Sequence, residues 1–236
     1  MPNLPENLFA SIVWHALRTK HRHFAVCAGG ACRYPADIAP FAAVAEPTPE
    51  ALRDLHSLLA PGELVYLIGD SYPRIPELAF GETFGVLQMV LPEEVALKRE
   101  HASPDSRFEI VPLSNVDADE MVALTTLAFP GYFRQRTCAM GSYYGVRNGN
   151  DLITMGGERL MLDGYSEISG VCTHPAHRGQ GLAARLVWQL VRNHWQDGLV
   201  SWLHVGSANR RAVELYQRMG FKTVRQVALH PISRLG

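Results

Sequence analysis

The residues of this chain that are best placed to do chemistry lie in one stretch, 171–183, which reads VCTHPAHRGQGLA. Its centre, Arg178-Gly179-Gln180-Gly181, is a short turn holding two glycines and one arginine. Ahead of it, residues 167–173 read as the end of a strand. Behind it, Leu182, Leu186, Val187, Leu190 and Val191 recur at helical spacing. A strand, a glycine turn and a helix start together make an anion site. The first amides of a helix have no partner within it, and its dipole is positive at that end. Glycine lets a phosphate approach the backbone, and successive amides can form a nest. Arg178 adds a permanent charge that pairs with two phosphate oxygens at once. The expected ligand carries a pyrophosphate. A dinucleotide fingerprint or a P-loop would need other spacings, and neither is present.

The run Arg178-x-x-Gly181-x-Ala183 resembles the Q/R-x-x-G-x-G/A signature of the GNAT superfamily of acyl-CoA-dependent N-acyltransferases. Downstream, Asn209, Ala212, Tyr216 and Gly220-Phe221 resemble that family's N-x-x-A-x-x-x-Y-x-x-x-G-F pattern. Two motifs in the right order are more specific than either alone. The likeness covers residues 108–236. It implies an α/β (α+β) GNAT fold, with a central mixed, mostly antiparallel sheet flanked by helices. It implies acetyl-CoA as acyl donor and no metal. The residues it assigns to acetyl-CoA are Val171, Cys172, Thr173, Arg178, Gly179, Gln180, Gly181, Leu182, Ala183 and Asn209.

The reaction so implied is acyl transfer from a thioester to an amine, which asks for a base near the acceptor and an acid near the sulfur. By resemblance Tyr216 is the acid. Glu167 is the expected base, because burial beside a sheet raises a carboxylate toward useful values. It has a second reading, as the partner of Arg159 across strands. His204 on the following strand is the rival base. Cys172 has no His and Asp beside it in sequence to activate it, so direct transfer in a ternary complex is expected.

The elements that must position these groups are legible in part. Residues 108–112 read as a strand, and Asp117 and Glu120 imitate a capping box ahead of a helix. Residues 142–147 and 152–162 form a hairpin about a turn at 148–151, and a turn at Asp163-Gly164 leads into 165–173. Strands at 200–205 and 221–229 flank a helix over 209–219. Nearer the start, a helix falls within 5–25, Thr48 caps a second helix that has Pro49 at its first position, and 64–68 and 84–90 are apolar strands. The stretch 102–106 has the composition of a linker. The expected domains are therefore 1–104 and 105–236. The first resembles the partner domain of two-domain GNAT proteins related to glycine N-acyltransferase, a degenerate copy of the fold that packs against the catalytic half and shapes its acceptor pocket.

Composition bounds the rest. With 47% hydrophobic and 19% charged residues and a net charge of −1, the chain reads as an ordinary globular protein with no global attraction to nucleic acid or anionic membrane. No apolar run reaches the ~20 residues of a membrane span, and the first residues do not read as a signal peptide. Four cysteines do not make a disulfide scaffold, which points to a reducing cytoplasm. His21, His23, Cys27 and Cys32 match no common zinc spacing and also read as an amphipathic segment entering a turn at Gly29-Gly30. The expected partners are acyl-CoA and a small amine or amino acid, with a homodimer permitted. A protein lysine or N-terminal acetyltransferase and a non-catalytic acyl-CoA-binding module are the competing readings.

Overall fold

In the computed structural model, which describes residues 9–99, 109–128 and 130–235, the chain first lays down α1 (Ile12–Arg18) and a small sheet of β1 (Val26–Ala28), β2 (Ala31–Arg33) and β3 (Ala42–Val44). The expected capping pair is present at α2 (Pro49–Leu58), where Thr48 Oγ1 accepts from the Ala51 amide at 3.2 Å. Gly29 takes a left-handed φ of +49° and closes the β1–β2 hairpin. Cys27 and Cys32 face each other across that hairpin and are bonded as a disulfide. Neither thiolate is therefore available to a metal. The expectation of reduced cysteines holds only for Cys138 and Cys172.

All later strands join one sheet. They are β4 (Leu64–Gly69), β5 (Leu78–Phe80), β6 (Phe84–Val90), β7 (Ile110–Leu113), β8 (Tyr143–Asn148), β9 (Asp151–Leu162), β10 (Tyr165–Thr173), β11 (Val200–Gly206) and β12 (Lys222–Arg234). Their order is β4-β12-β6-β11-β10-β9-β8-β7, with β5 paired to β12. Every pairing is antiparallel except β10 with β11. This is the mixed, mostly antiparallel sheet flanked by helices that the sequence led us to expect.

The expected division at 104/105 crosses this sheet, because β6 lies between β11 and β12. The linker-like stretch 102–106 itself lies outside the described residues. After β6, α3 (Glu93–Arg99) follows. The capping box falls one turn earlier than expected. Ser114 and Asp117 form it, ahead of α4 (Ala118–Ala128), because the Asp117 carboxylate accepts from the Ser114 amide at 2.9 Å.

α5 (Leu182–Gln196) buries the stripe Leu182, Leu186, Val187, Leu190 and Val191 on the sheet. Its neighbour α6 (Arg210–Met219) buries Tyr216 and Met219 and stops at Gly220, whose φ of +99° lets the chain turn into β12. Leu190, Val191, Leu203, Tyr216 and Phe221 share one core cluster. Both helices are thereby fixed on the same side as the glycine turn.

Candidate active site

The site begins where two strands part company. β10 pairs with β11 only from Tyr165↔Val200 to Glu167↔Trp202. Beyond Glu167 the parallel register ends, and on its other edge β10 loses register with β9 between Ser169 and Cys172. Gly170, with a φ of +65°, sits in that bulge. The edge of β10 that faces β11 is left without a strand partner over this segment, so an extended ligand can lie along it.

A cavity of about 480 Å³ runs from this edge to the start of α5. Val171, Cys172, Thr173, Arg178, Gly179, Gln180, Gly181, Leu182, Ala183, Asn209 and Tyr216 all line it. The sequence-predicted donor residues therefore converge on one place. Gly179 and Gly181 adopt left-handed φ of +82° and +74°, and nothing stands within 4 Å of where a Cβ on either would lie. The turn is thus an open cradle, with the first amides of α5 at its rim, and it fits a pyrophosphate. Arg178 Nε donates to the Thr173 carbonyl at 3.3 Å, tying the turn back to the strand. Asn209 caps α6 by accepting from the Ala212 amide at 3.2 Å.

The sequence reading missed Arg211 and Arg218, which add cations to the same wall. Cys172 is buried, and burial pushes its thiol up to about 12. It is therefore a packed thiol and no nucleophile near neutral pH. His177 lines the cavity, while His174 Nδ1 accepts from the Ala176 amide at 3.3 Å and caps the short turn before Arg178.

A second cavity, of about 320 Å³, lies on the other side of the strand gap. Val171, Asn209, Ala212 and Tyr216 line both, so the two cavities adjoin across these residues. Four of its wall residues, Phe41, Ile68, Phe84 and Val86, come from the N-terminal segment, and Tyr132 comes from the connection between α4 and β8. Tyr216 is 8% exposed. Burial, then the neighbouring Cys172, pushes its phenol up to about 12, so it keeps its proton.

At Glu167 the structure shows the second of the two readings, the pairing with Arg159 across strands. The carboxylate lines neither cavity and is fully buried. It accepts from Arg159 Nε at 2.9 Å, Arg159 Nη2 at 2.6 Å, the Leu160 amide at 3.2 Å and His204 Nδ1 at 2.8 Å. These contacts use about all the lone pairs a carboxylate has. Burial alone would raise it. The charge and hydrogen bonds of Arg159, then those of His204, overcome that and hold it at about 2. It anchors its neighbours and cannot take up a proton near neutral pH. The rival base fares no better. His204 lines the second cavity, yet its Nε2 lies 3.2 Å from Gln88 Nε2. The same Gln88 nitrogen donates to the Phe9 carbonyl at 3.1 Å, so it has only hydrogens to offer. His204 Nε2 accepts from Gln88, and Nδ1 carries the proton given to Glu167. Gln88 was legible as the one strongly polar residue in the apolar strand FGVLQMV, a position that demands a partner once buried.

The comparisons agree with this geometry. The family described as FR47-like protein matches residues 143–228. No curated protein matches the chain. A GNAT-family protein from Novosphingobium aromaticivorans is similar at 30% identity, with 97% of this chain and 99% of that one covered and a TM-score of 0.83. Two more distant structures share the fold alone. A GCN5-related N-acetyltransferase from Kribbella flavida is 18% identical over 100% of this chain and 98% of its own, with a TM-score of 0.59. A GCN5-related N-acetyltransferase-like protein from Streptococcus suis is 12% identical over 97% and 94%, with a TM-score of 0.60. With its open glycine cradle, its parted strands and this full-length likeness, the chain belongs to the GNAT family of acetyltransferases.

Proposed function

We propose that the chain is an acyl-CoA-dependent N-acyltransferase that moves an acetyl group from acetyl-CoA to the primary amine of a small molecule, by direct attack in a ternary complex. The observation that carries this reading is the junction of the two cavities at Val171, Asn209, Ala212 and Tyr216. An acyl donor in the first cavity and an acceptor in the second would come nearest each other at these shared residues.

Acetyl-CoA supplies an activated acyl carbon; the chain supplies position and a hydrogen-bond donor, and water carries the proton from the nitrogen to the departing sulfur. Arg178 and the amides of residues 179–183 hold the pyrophosphate. The free edge of β10 at Val171, Cys172 and Thr173, with Asn209 opposite, takes the extended arm. In the exchange a nitrogen–carbon bond forms, the carbon–sulfur bond breaks, the nitrogen loses a proton and the departing thiolate gains one. Tyr216 stands at the junction with its phenol protonated. It stabilises the developing thiolate by a hydrogen bond, while full transfer from so weak an acid to sulfur runs uphill. Glu167 and Arg159 hold the strands and His204 in place.

Thermal unfolding with and without acetyl-CoA, followed by thiol release on addition of amines, tests the reading. A ligand at 100 times its Kd adds about 2.7 kcal/mol of stability, a shift of several degrees in a domain of this size. No shift at millimolar acetyl-CoA would remove the donor site, and the reading with it.

A further inference from the structure

From the walls of the acceptor cavity we infer the class of amine that this enzyme takes: a weakly basic primary amine, such as an arylamine or an α-amino amide, carried on a compact apolar body. The inference rests on the N-acyltransferase reading above and goes beyond it.

Two observations carry it. The first is that the two groups best placed to remove a proton are both engaged. Glu167 spends its carboxylate on Arg159, Leu160 and His204, and His204 accepts from Gln88 through the nitrogen that Glu167 does not hold. An ammonium that enters the cavity therefore has to lose its proton without help from either. An amine of low basicity arrives already neutral. An α-amino group of the peptide type loses its proton at about 7.7–8.0, whereas a lysine-type amine does so at about 10.4. Near neutral pH, the first is present as free base hundreds of times more often than the second.

The second observation is the charge and polarity of the walls. Phe41, Ile68, Phe84, Val86 and Leu229 give the cavity an apolar and aromatic wall with Tyr132 beside them, and the polar groups of Ser169, His204, Asn209 and Tyr216 line the rest. Its charged wall residue is a cation, Arg159, which stacks 4.7 Å over the Phe41 ring. The counter-ion Glu167 lies behind it with no exposure. The wall offers an incoming ammonium no carboxylate to pair with, and the guanidinium stands nearer to it than the counter-ion behind. A neutral amine on an aromatic or branched body meets no such penalty. The same geometry disfavours a lysine side chain.

The test pairs two acceptors of like shape and unlike basicity, phenylalanine amide and phenethylamine, with acetyl-CoA at saturation. Thiol release is followed from pH 6 to pH 10. We expect kcat/KM for each amine to rise with that amine's own free-base fraction, so that the two profiles inflect at different pH. At pH 7 phenylalanine amide is then at least tenfold faster, and the gap narrows as the pH rises. A single inflection shared by both amines would reveal a proton-accepting group on the enzyme and overturn the inference, as would a preference for phenethylamine at pH 7. The broader reading fails differently. If acetyl-CoA raises the unfolding temperature but neither these amines nor aniline release thiol at any pH, N-acyl transfer falls, and the inference falls with it.

Discussion

Gln88 Nε2 stands 3.2 Å from His204 Nε2, although the two residues are 116 positions apart in sequence. One comes from the N-terminal segment and the other from the strand that faces the acceptor cavity. The contact assigns the histidine's proton to Nδ1 and so completes the set of bonds that ends on Glu167. Gln88→Leu removes the donor and leaves a buried acceptor unpaired. Urea unfolding should show a loss of about 1–3 kcal/mol. Unchanged stability would mean that His204 finds another partner.

Glu167→Gln breaks a buried ion pair and strands the Arg159 charge, which costs about 3–5 kcal/mol in comparable cases. The pH dependence has a definite sign. The carboxyl is held at about 2 in the folded chain, below its unfolded value, so its contribution is complete above about pH 5. It is lost as the pH falls through the folded value. Wild-type stability should therefore decline between about pH 5 and pH 2, and the decline should be shallower in the Gln variant. Chemical unfolding at several pH values measures it, and equal slopes in the two proteins would count against the ion pair.

Tyr216→Phe keeps the ring in its core cluster and removes only the hydroxyl. Turnover should fall by roughly ten- to a hundredfold, the worth of one hydrogen bond to a developing charge at about 1.5–3 kcal/mol, while acetyl-CoA affinity stays within twofold. Stopped-flow thiol release together with calorimetric titration separates the two effects. Wild-type turnover in the Phe variant would end the tyrosine's role.

Arg178→Ala removes a charged partner of the pyrophosphate and should weaken acetyl-CoA binding by about 1.5–3 kcal/mol, roughly ten- to a hundredfold. Gly181→Ala tests the same cradle through the backbone. Its φ of +74° is left-handed, so a side chain costs about 1–2 kcal/mol of stability although nothing crowds it. A fall in acetyl-CoA affinity larger than that of a distant control of equal stability would locate the ligand at this turn.

Cys172→Ala should keep at least a third of wild-type kcat, because direct transfer needs no thiol. In the folded wild type, alkylating reagents at pH 7 should leave Cys172 unmodified, since burial keeps it protonated. Mass spectrometry after mild iodoacetamide treatment reads this out. A trapped acetyl thioester on Cys172 would replace the ternary mechanism with a two-step one.

The glycine turn and the helix behind it were legible because a local pattern specified them. Two glycines that need left-handed φ, one arginine and an amphipathic helix all lie within a few residues, and backbone geometry rather than distant packing decides what they do. The hairpin of β8 and β9 was legible for the same reason. The protonation of Glu167 was not. Its surroundings come from three separate strands, Arg159 and Leu160 from β9, His204 from β11 and, behind the histidine, Gln88 from β6. Burial and pairing pull a carboxylate in opposite directions, so the sign of the outcome depends on distances that the sequence does not carry. The place of β6 was hidden too, because an apolar strand fits the middle of any sheet equally well. The capping box moved by one turn because both Ser114 and Asp117 can cap, and the short 3-10 turn over Asn115–Asp117 selected between them.

The seat of β6 between β11 and β12 also has a meaning for biosynthesis. Phe84–Val90 leaves the ribosome with neither of its neighbours yet made. The 116 residues from Gln88 to His204 take roughly 6–23 s at about 5–20 residues per second. For that interval an apolar strand has both hydrogen-bonding edges bare, the condition under which strands join the wrong partner. A chain truncated before β12 would leave one edge of β6 bare, and we expect it to aggregate more readily than the full chain, whatever the state of its glycine turn.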